Sequence, residues 1–202
     1  AVVMVVLLLS CKRYASYRQG FSAARQRVAE LLHINGQSFP ISLQMGMESG
    51  AFTVSGIMAG WLGAIDLATF QVMVTIGGLG FLLYYSFGSG ITIRVAHFCG
   101  QRDWHGMRQS GKAGMYILLA MAVLSSTIFF LGGEYIIRCF TSDPRVIALS
   151  LSLILPLILY QLGDSMQICF ANALRGTSHV LSMMWIAFVS YVVVNIPAGY
   201  LL

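Results

Sequence analysis

Charge is what this sequence has least of. Only 9% of its 202 residues are Asp, Glu, Lys or Arg, while 57% are hydrophobic. A soluble domain carries about a quarter charged residues. The shortage excludes an ordinary water-facing surface and points to a chain embedded in lipid. Cysteine is also sparse. Cys11, Cys99, Cys139 and Cys169 stand 30 or more residues apart, so no CxxC, His–Cys or zinc-ligand spacing exists and they read as packing or lipid-facing side chains. HExxH is absent. "GGLG" (Gly77 to Gly80) has no following Lys and apolar flanks, which excludes a phosphate-binding loop. The opening run, Ala1 to Ser10, lacks the basic start and the small-residue cleavage site of a signal peptide. With no Met at position 1 and apolar runs at both ends, the expectation is a piece of a longer chain.

What is present is a series of long uncharged segments. A hydrocarbon core needs about 20 apolar residues per helix. Leu67 to Ile93 offers 27 residues without a charge and Ala113 to Gly133 offers 21; Val146 to Leu174 offers 29, interrupted only by Asp164. Leu31 to Ile65 holds 35 residues in which Glu48 is the single charge, and Gly176 to Leu202 holds none. This predicts an all-α polytopic bundle of about five transmembrane helices plus the tail of a sixth. Basic residues collect between the spans. If loops alternate sides, Lys12 to Glu30, Arg94 to Lys112 and the Arg175 turn share one side with ten Lys or Arg, against two on the other. The basic side is therefore cytoplasmic. This distribution also accounts for the net charge of +5 without nucleic acid.

Local signals mark helix ends. Pro40 is expected in the first turn of its helix, and "TSDPRV" offers Asp143 as N-cap with Pro144 at the first helical position. Pro156 and Pro197 are expected to kink their spans. Tyr14, Tyr17, Phe21, Ala24, Val28 and Leu31 recur at three-to-four spacing, as in an interfacial amphipathic helix or within a plain basic linker. Gly46 and Gly50, then Gly56 and Gly60, form two GxxxG pairs that predict close helix packing.

Two carboxylates carry the chemistry. An ionised carboxylate in hydrocarbon costs roughly 2.5–3.5 kcal/mol on insertion scales, so such groups face a bundle interior or a wet cavity. Counting from Pro40 places Glu48 about 12 Å along its helix, and counting back from Arg175 places Asp164 about 16 Å in. Two acids at similar depth can take up a proton or hold a monovalent cation, or they can simply lock helices together. Gln44 lies one turn before Glu48. Tyr160 lies one turn before Asp164, and Gln161 and Gln167 lie close by in sequence. These supply oxygens and donors around the acids. Phe81, Tyr84 and Tyr85 either line a cavity or face lipid. Tyr191 and Asn195 share a face of the last helix. Asp66 is expected in a solvated turn.

Pro40, Gln44, Glu48 and Phe52 at four-residue spacing, followed by "GWLG" (Gly60 to Gly63), resemble the opening of the second six-helix lobe of multidrug and toxic compound extrusion (MATE) transporters. "RVAHFCGQRD", "FTSDPRV", "YQLGDSMQ" and "ALRGTSH" follow in that family's order, over roughly Pro40 to Leu202. The resemblance implies a twelve-helix antiporter of two pseudo-symmetric lobes, exporting cationic amphipathic compounds against sodium or protons. In its NorM-type subgroup the cation site would fall on Glu48, Tyr160 and Asp164, with no cofactor beyond the coupling ion and no metal other than sodium. It divides the chain into the end of a preceding helix (1–11), a basic cytoplasmic inter-lobe loop (12–36), and C-terminal-lobe helices at about 37–63, 67–94, 113–133, 144–173 and 179–202. The last helix of the lobe would be lacking. The implied partners are small organic cations, the bilayer and the N-terminal lobe; the implied location is the inner (plasma) membrane, multi-pass. Ala96 and Ser178 stand where that family commonly has Gly.

Other classes remain open. A lipid-linked oligosaccharide flippase of the wider superfamily would want arginines in its spans, and none is expected there. An intramembrane hydrolase would need Ser89 near His97 or His179, although both histidines fall in or beside loops; no catalytic residue is expected. A non-transporting structural subunit would tolerate loss of both acids.

Overall fold

The computed structural model describes residues 28–201. The stub at 1–11, Cys11 and most of the amphipathic stretch from Tyr14 lie outside the described residues. The chain divides into two compact units, Ala1–Phe39 and Pro40–Leu202. In the first, only helical residues from Val28 are described, with Gln37 and His33 paired one turn apart.

Helix α1 runs Val28–Leu62, so Pro40 is an interior residue and not part of a first turn. The depth count for Glu48 therefore began at the wrong place. Residues 28–36, read as loop, are helical because nothing between Val28 and Phe39 breaks a helix: no proline, and a single glycine. Gly63 ends α1 with φ of 149°, a backbone state that side chains resist. Helix α2 (Ala64–Gly100) starts directly after it, with Asp66 in its first turn. The turn is a single residue, so Asp66, expected in a solvated turn, is helical. Helix α3 spans Trp104–Phe140, its start fixed by Asp103, whose carboxylate accepts from the Gly106 N–H at 3.0 Å. Asp143 caps α4 (Pro144–Ser152) as expected, accepting from the Arg145 N–H at 2.9 Å with Pro144 first in the helix. That N–H and the Arg145 guanidinium hold the Asp143 carboxyl below its usual range.

The span expected at 144–173 is two helices. Leu153 interrupts it, and α5 runs Ile154–Gly176. Pro156 then sits in the first turn of α5, where a missing N–H costs nothing, so the break takes the place of a kink. Helix α6 (Val180–Ala187) continues through a π-helical stretch, Phe188–Asn195, into α7 (Ile196–Leu201). The widened turns come just before Pro197. A proline cannot accept the normal ladder geometry, and widening re-routes the carbonyls it would strand. Four segments among the described residues are long and apolar enough to cross a membrane: α2, α3, α5 and Val180–Leu201. Helix α1 has the length but carries Glu30, Gln37, Gln44 and Glu48.

The frame is α2, α3 and α5. Tyr84, Ile91, Val95, Leu118, Ala122, Ile168 and Cys169 form one buried cluster, and Ile76, Phe129, Ile137 and Ile147 a second where α4 joins. Lipid offers no hydrophobic force between helices, so close approach through small residues must hold them. Gly88 supplies it: a methyl there would sit 2.8 Å from Ile168 Cγ2 and 2.9 Å from Asn172 Nδ2. The glycines expected to pack do less. Nothing lies within 4 Å of where a methyl at Gly46 or Gly50 would project, and Gly60 meets only Leu67 at 3.8 Å. Of the four, only Gly56 is tight, against Phe70 at 3.2 Å.

Candidate functional site

Within Pro40–Leu202 two adjoining cavities open on the outer face of α5. The first, about 420 Å³, is walled by Phe52, Phe70, Phe81 and Tyr85, with Gln44, Glu48, Tyr160, Gln167 and Arg175 as its principal polar groups. The second, about 860 Å³, lies toward the C-terminal helix and shares Gln44, Phe52, Tyr160 and Gln167 with the first. Helical spacing explains both sets. Gln44, Glu48 and Phe52 recur every four residues on α1. Tyr160, Gln167, Ala171 and Arg175 follow one stripe of α5 at intervals of seven, four and four.

The amide of Gln44 joins two charges. Its Nε2 donates to Glu48 Oε2 at 2.9 Å, and its Oε1 accepts from an Arg175 terminal nitrogen at 2.8 Å. Gln44 is buried at 3% exposure, so this geometry is not an exchange with solvent. Asp164 is buried behind the cavity wall and accepts from the Tyr84 hydroxyl at 2.6 Å. It lines neither cavity. Asp164 lies one helical turn after Tyr160, which does line the cavities, the first of them with Glu48. Tyr160 is 44% exposed and packs edge-on against Phe52, with centroids 6.3 Å apart.

The remaining expected residues separate. Gln167 exchanges hydrogen bonds with the Tyr191 hydroxyl, donating at 2.6 Å and accepting at 3.0 Å. Gln161 is fully buried and supports the frame: it donates to Gly77 O at 3.2 Å and accepts from Ser125 Oγ at 2.8 Å. Phe81 lines the first cavity, stacked on Tyr85 at 4.9 Å. Tyr84 points inward to Asp164, and its neighbour Tyr85 takes the cavity position. Asn195 lines the second cavity. Ser89 donates to Ser86 O, and His97 and His179 pair with Gln101 and Thr177 near their own helix ends. No group of three or more His, Cys, Asp or Glu that could hold a metal occurs among the described residues.

Arg175 is the residue the sequence reading misplaced. The sequence places it in a turn because it borders the last charge-free span, with no Lys or Arg expected inside a span. The helix runs on to Gly176 and the side chain reaches back along the cavity stripe. Its spacing from Tyr160 and Gln167 was the available signal.

The MatE family model matches residues 40–201. The chain belongs to the MatE family. Family membership and the apolar helices make it a multi-pass membrane protein. It is 33% identical over 172 residues to a "Probable multidrug resistance protein NorM" of Xanthomonas campestris pv. campestris, covering 85% of this chain and 37% of that protein. It is 30% identical over 164 residues to "Multidrug resistance protein NorM" of Photobacterium profundum, covering 81% and 36%. To the Vibrio cholerae protein of that name it is 29% identical over 204 residues, covering 99% and 45%. The chain thus spans less than half the length of these relatives.

Proposed function

We propose that this chain is the cation-binding part of a secondary antiporter that exports cationic, amphipathic compounds in exchange for sodium ions or protons. The observation that carries this reading is Glu48, a carboxylate in a membrane-spanning protein, set in the wall of an aromatic cavity whose Tyr160 lies one turn from a second, buried carboxylate, Asp164. A carboxylate within a membrane protein is costly unless something compensates it. A mobile cation does so, and the names of the relatives agree with drug export.

Each residue has a role. Glu48 ligates the coupling ion, and the Tyr160 hydroxyl offers a further oxygen. Asp164 adds negative potential from behind the wall, where Tyr84 fixes it. Phe52, Phe70, Phe81 and Tyr85 present ring faces to an organic cation. Ion binding changes the charge at Glu48 and so changes which arrangement of the cavity wall is preferred; an ion shifts that balance only through differential affinity for the two arrangements. The relatives' additional length supplies the N-terminal lobe, and the protein works in the inner (plasma) membrane.

The test is gradient-driven efflux of a fluorescent organic cation from vesicles bearing the full-length protein. Glu48→Gln and Asp164→Asn are each expected to reduce it at least tenfold, the scale of typical coupling energies of about 1–3 kcal/mol. Imposing sodium and pH gradients separately identifies the ion. Undiminished efflux in both variants, at wild-type expression, would sink the reading.

One observation favours the flippase alternative, the guanidinium at the cavity wall. The adjoining Glu48 opposes it, since a pyrophosphate seated on Arg175 would meet a carboxylate. Gradient-independent movement of a lipid-linked sugar in the same vesicles would favour that alternative.

A further inference from the structure

Arg175 is a cation at a cavity wall with no carboxylate partner. Among the described residues it forms no salt bridge, and its Nε is buried with no hydrogen-bond partner. Removing a guanidinium nitrogen from water without a partner is costly, so the position calls for a compensating role. The compensation comes through Gln44. A guanidinium only donates, and an ionised carboxylate only accepts. Between them an amide has one arrangement that satisfies both, oxygen toward Arg175 and nitrogen toward Glu48, and that is the arrangement seen. Both bonds are charge-assisted, a class about twice as strong as neutral ones.

We propose that Arg175, relayed through Gln44, is the resident counter-charge of Glu48: it holds the carboxylate while no coupling ion is bound and gives way when one binds. The inference rests on Glu48 being the coupling-ion ligand. Its physical content is a competition. A cation arriving at Glu48 meets the field of Arg175, opposed by that of Asp164. The bridge and the ion draw on the same carboxylate, so each weakens the other, and linkage makes that weakening equal in both directions. An ion site with a built-in competitor releases its ion readily, as a transporter must. It also never leaves the Glu48 carboxylate bare in the cavity wall.

The experiment titrates efflux by the full-length protein with sodium at fixed pH, and with pH in the absence of sodium, using whichever ion drives the wild type. Arg175→Gln is expected to lower the half-saturating ion concentration by about tenfold and to reduce the maximal rate, because release slows. Arg175→Lys keeps the charge and can still donate to Gln44. The bridge here uses a single donor, so this variant should stay within about threefold of wild type. Gln44→Met leaves both charges but cuts the relay, and should shift the titration in the same direction as Arg175→Gln by a smaller factor. It carries the test alone if Arg175→Gln fails to reach the membrane. An unchanged or raised half-saturating concentration in Arg175→Gln, or in Gln44→Met when it stands alone, overturns the proposal. Glu48→Gln in the same assay separates the two readings. If it abolishes ion dependence while Arg175→Gln changes nothing, only the counter-charge idea falls. If it leaves ion dependence intact, the coupling site itself is wrong and the counter-charge falls with it.

Discussion

Helix α5 has two faces, and they satisfy their polar groups in opposite ways. On the inner face Gln161 is tied to Gly77 O and Ser125, Asp164 to Tyr84, and Asn172 to Thr92 at 2.9 Å. Every partner is on α2 or α3, the helices that α5 packs against. On the outer face Gln167 pairs with Tyr191, and Arg175 pairs with Gln44 and through it with Glu48. Those partners line the cavities themselves. The side chains of Gln161 and Asp164 are shielded by packing and cannot exchange partners without separating helices, while Asn172 also borders the first cavity. The outer bonds can be exchanged for a ligand's. One helix thus serves as both wall of the frame and wall of the cavities.

That comparison can be broken at the inner face first. Tyr84→Phe would leave the Asp164 carboxylate buried without its donor, a loss of about 3 kcal/mol by the usual cost of an unsatisfied buried charged group. The readout is the thermal unfolding midpoint in detergent. A midpoint equal to wild type would mean Asp164 finds water or another donor, and that the inner face is not sealed. A sharper contrast uses one substitution at two glycines. Gly88→Ala forces a methyl against Ile168 and Asn172 and should cost about 1–3 kcal/mol as overpacking. Gly50→Ala meets nothing within 4 Å and should leave the midpoint unchanged or slightly raised. Equal effects at both positions would erase the distinction between frame and cleft. A modest gain is expected just beyond the end of α5. Ser178 holds a left-handed backbone, φ 61°, that costs a non-glycine residue about 1 kcal/mol. Ser178→Gly should recover about that much. The MATE resemblance expected glycine here, and the positive φ is its physical reason.

Much of this protein was legible in the sequence because the signals are local. Scarce charge and 20-residue apolar runs set the helical membrane class. Asp143 before Pro144 set a helix start, since a cap needs only its own next two residues. Two acids inside apolar stretches drew attention to Glu48, which lines the first cavity, and to Asp164, which the fold sets behind it. Other local readings failed where a competing local effect won: Pro40 did not start a helix, and Pro156 was absorbed by a break at Leu153.

What only the tertiary structure decided is which way each helix faces. In water, an amphipathic pattern reports the buried side. In lipid both the packed and the exposed sides are apolar, so the pattern loses that information. Nothing in the sequence distinguished Gly88 from Gly50 as a packing glycine, or Tyr84 from Tyr85 as the residue turned inward. Nor could it show that Arg175, apparently in a turn, shares an amide with Glu48. Those facts depend on helix azimuth and on contacts between residues as much as 131 positions apart. Only folding brings such residues together, and the chemistry of the site is built from them.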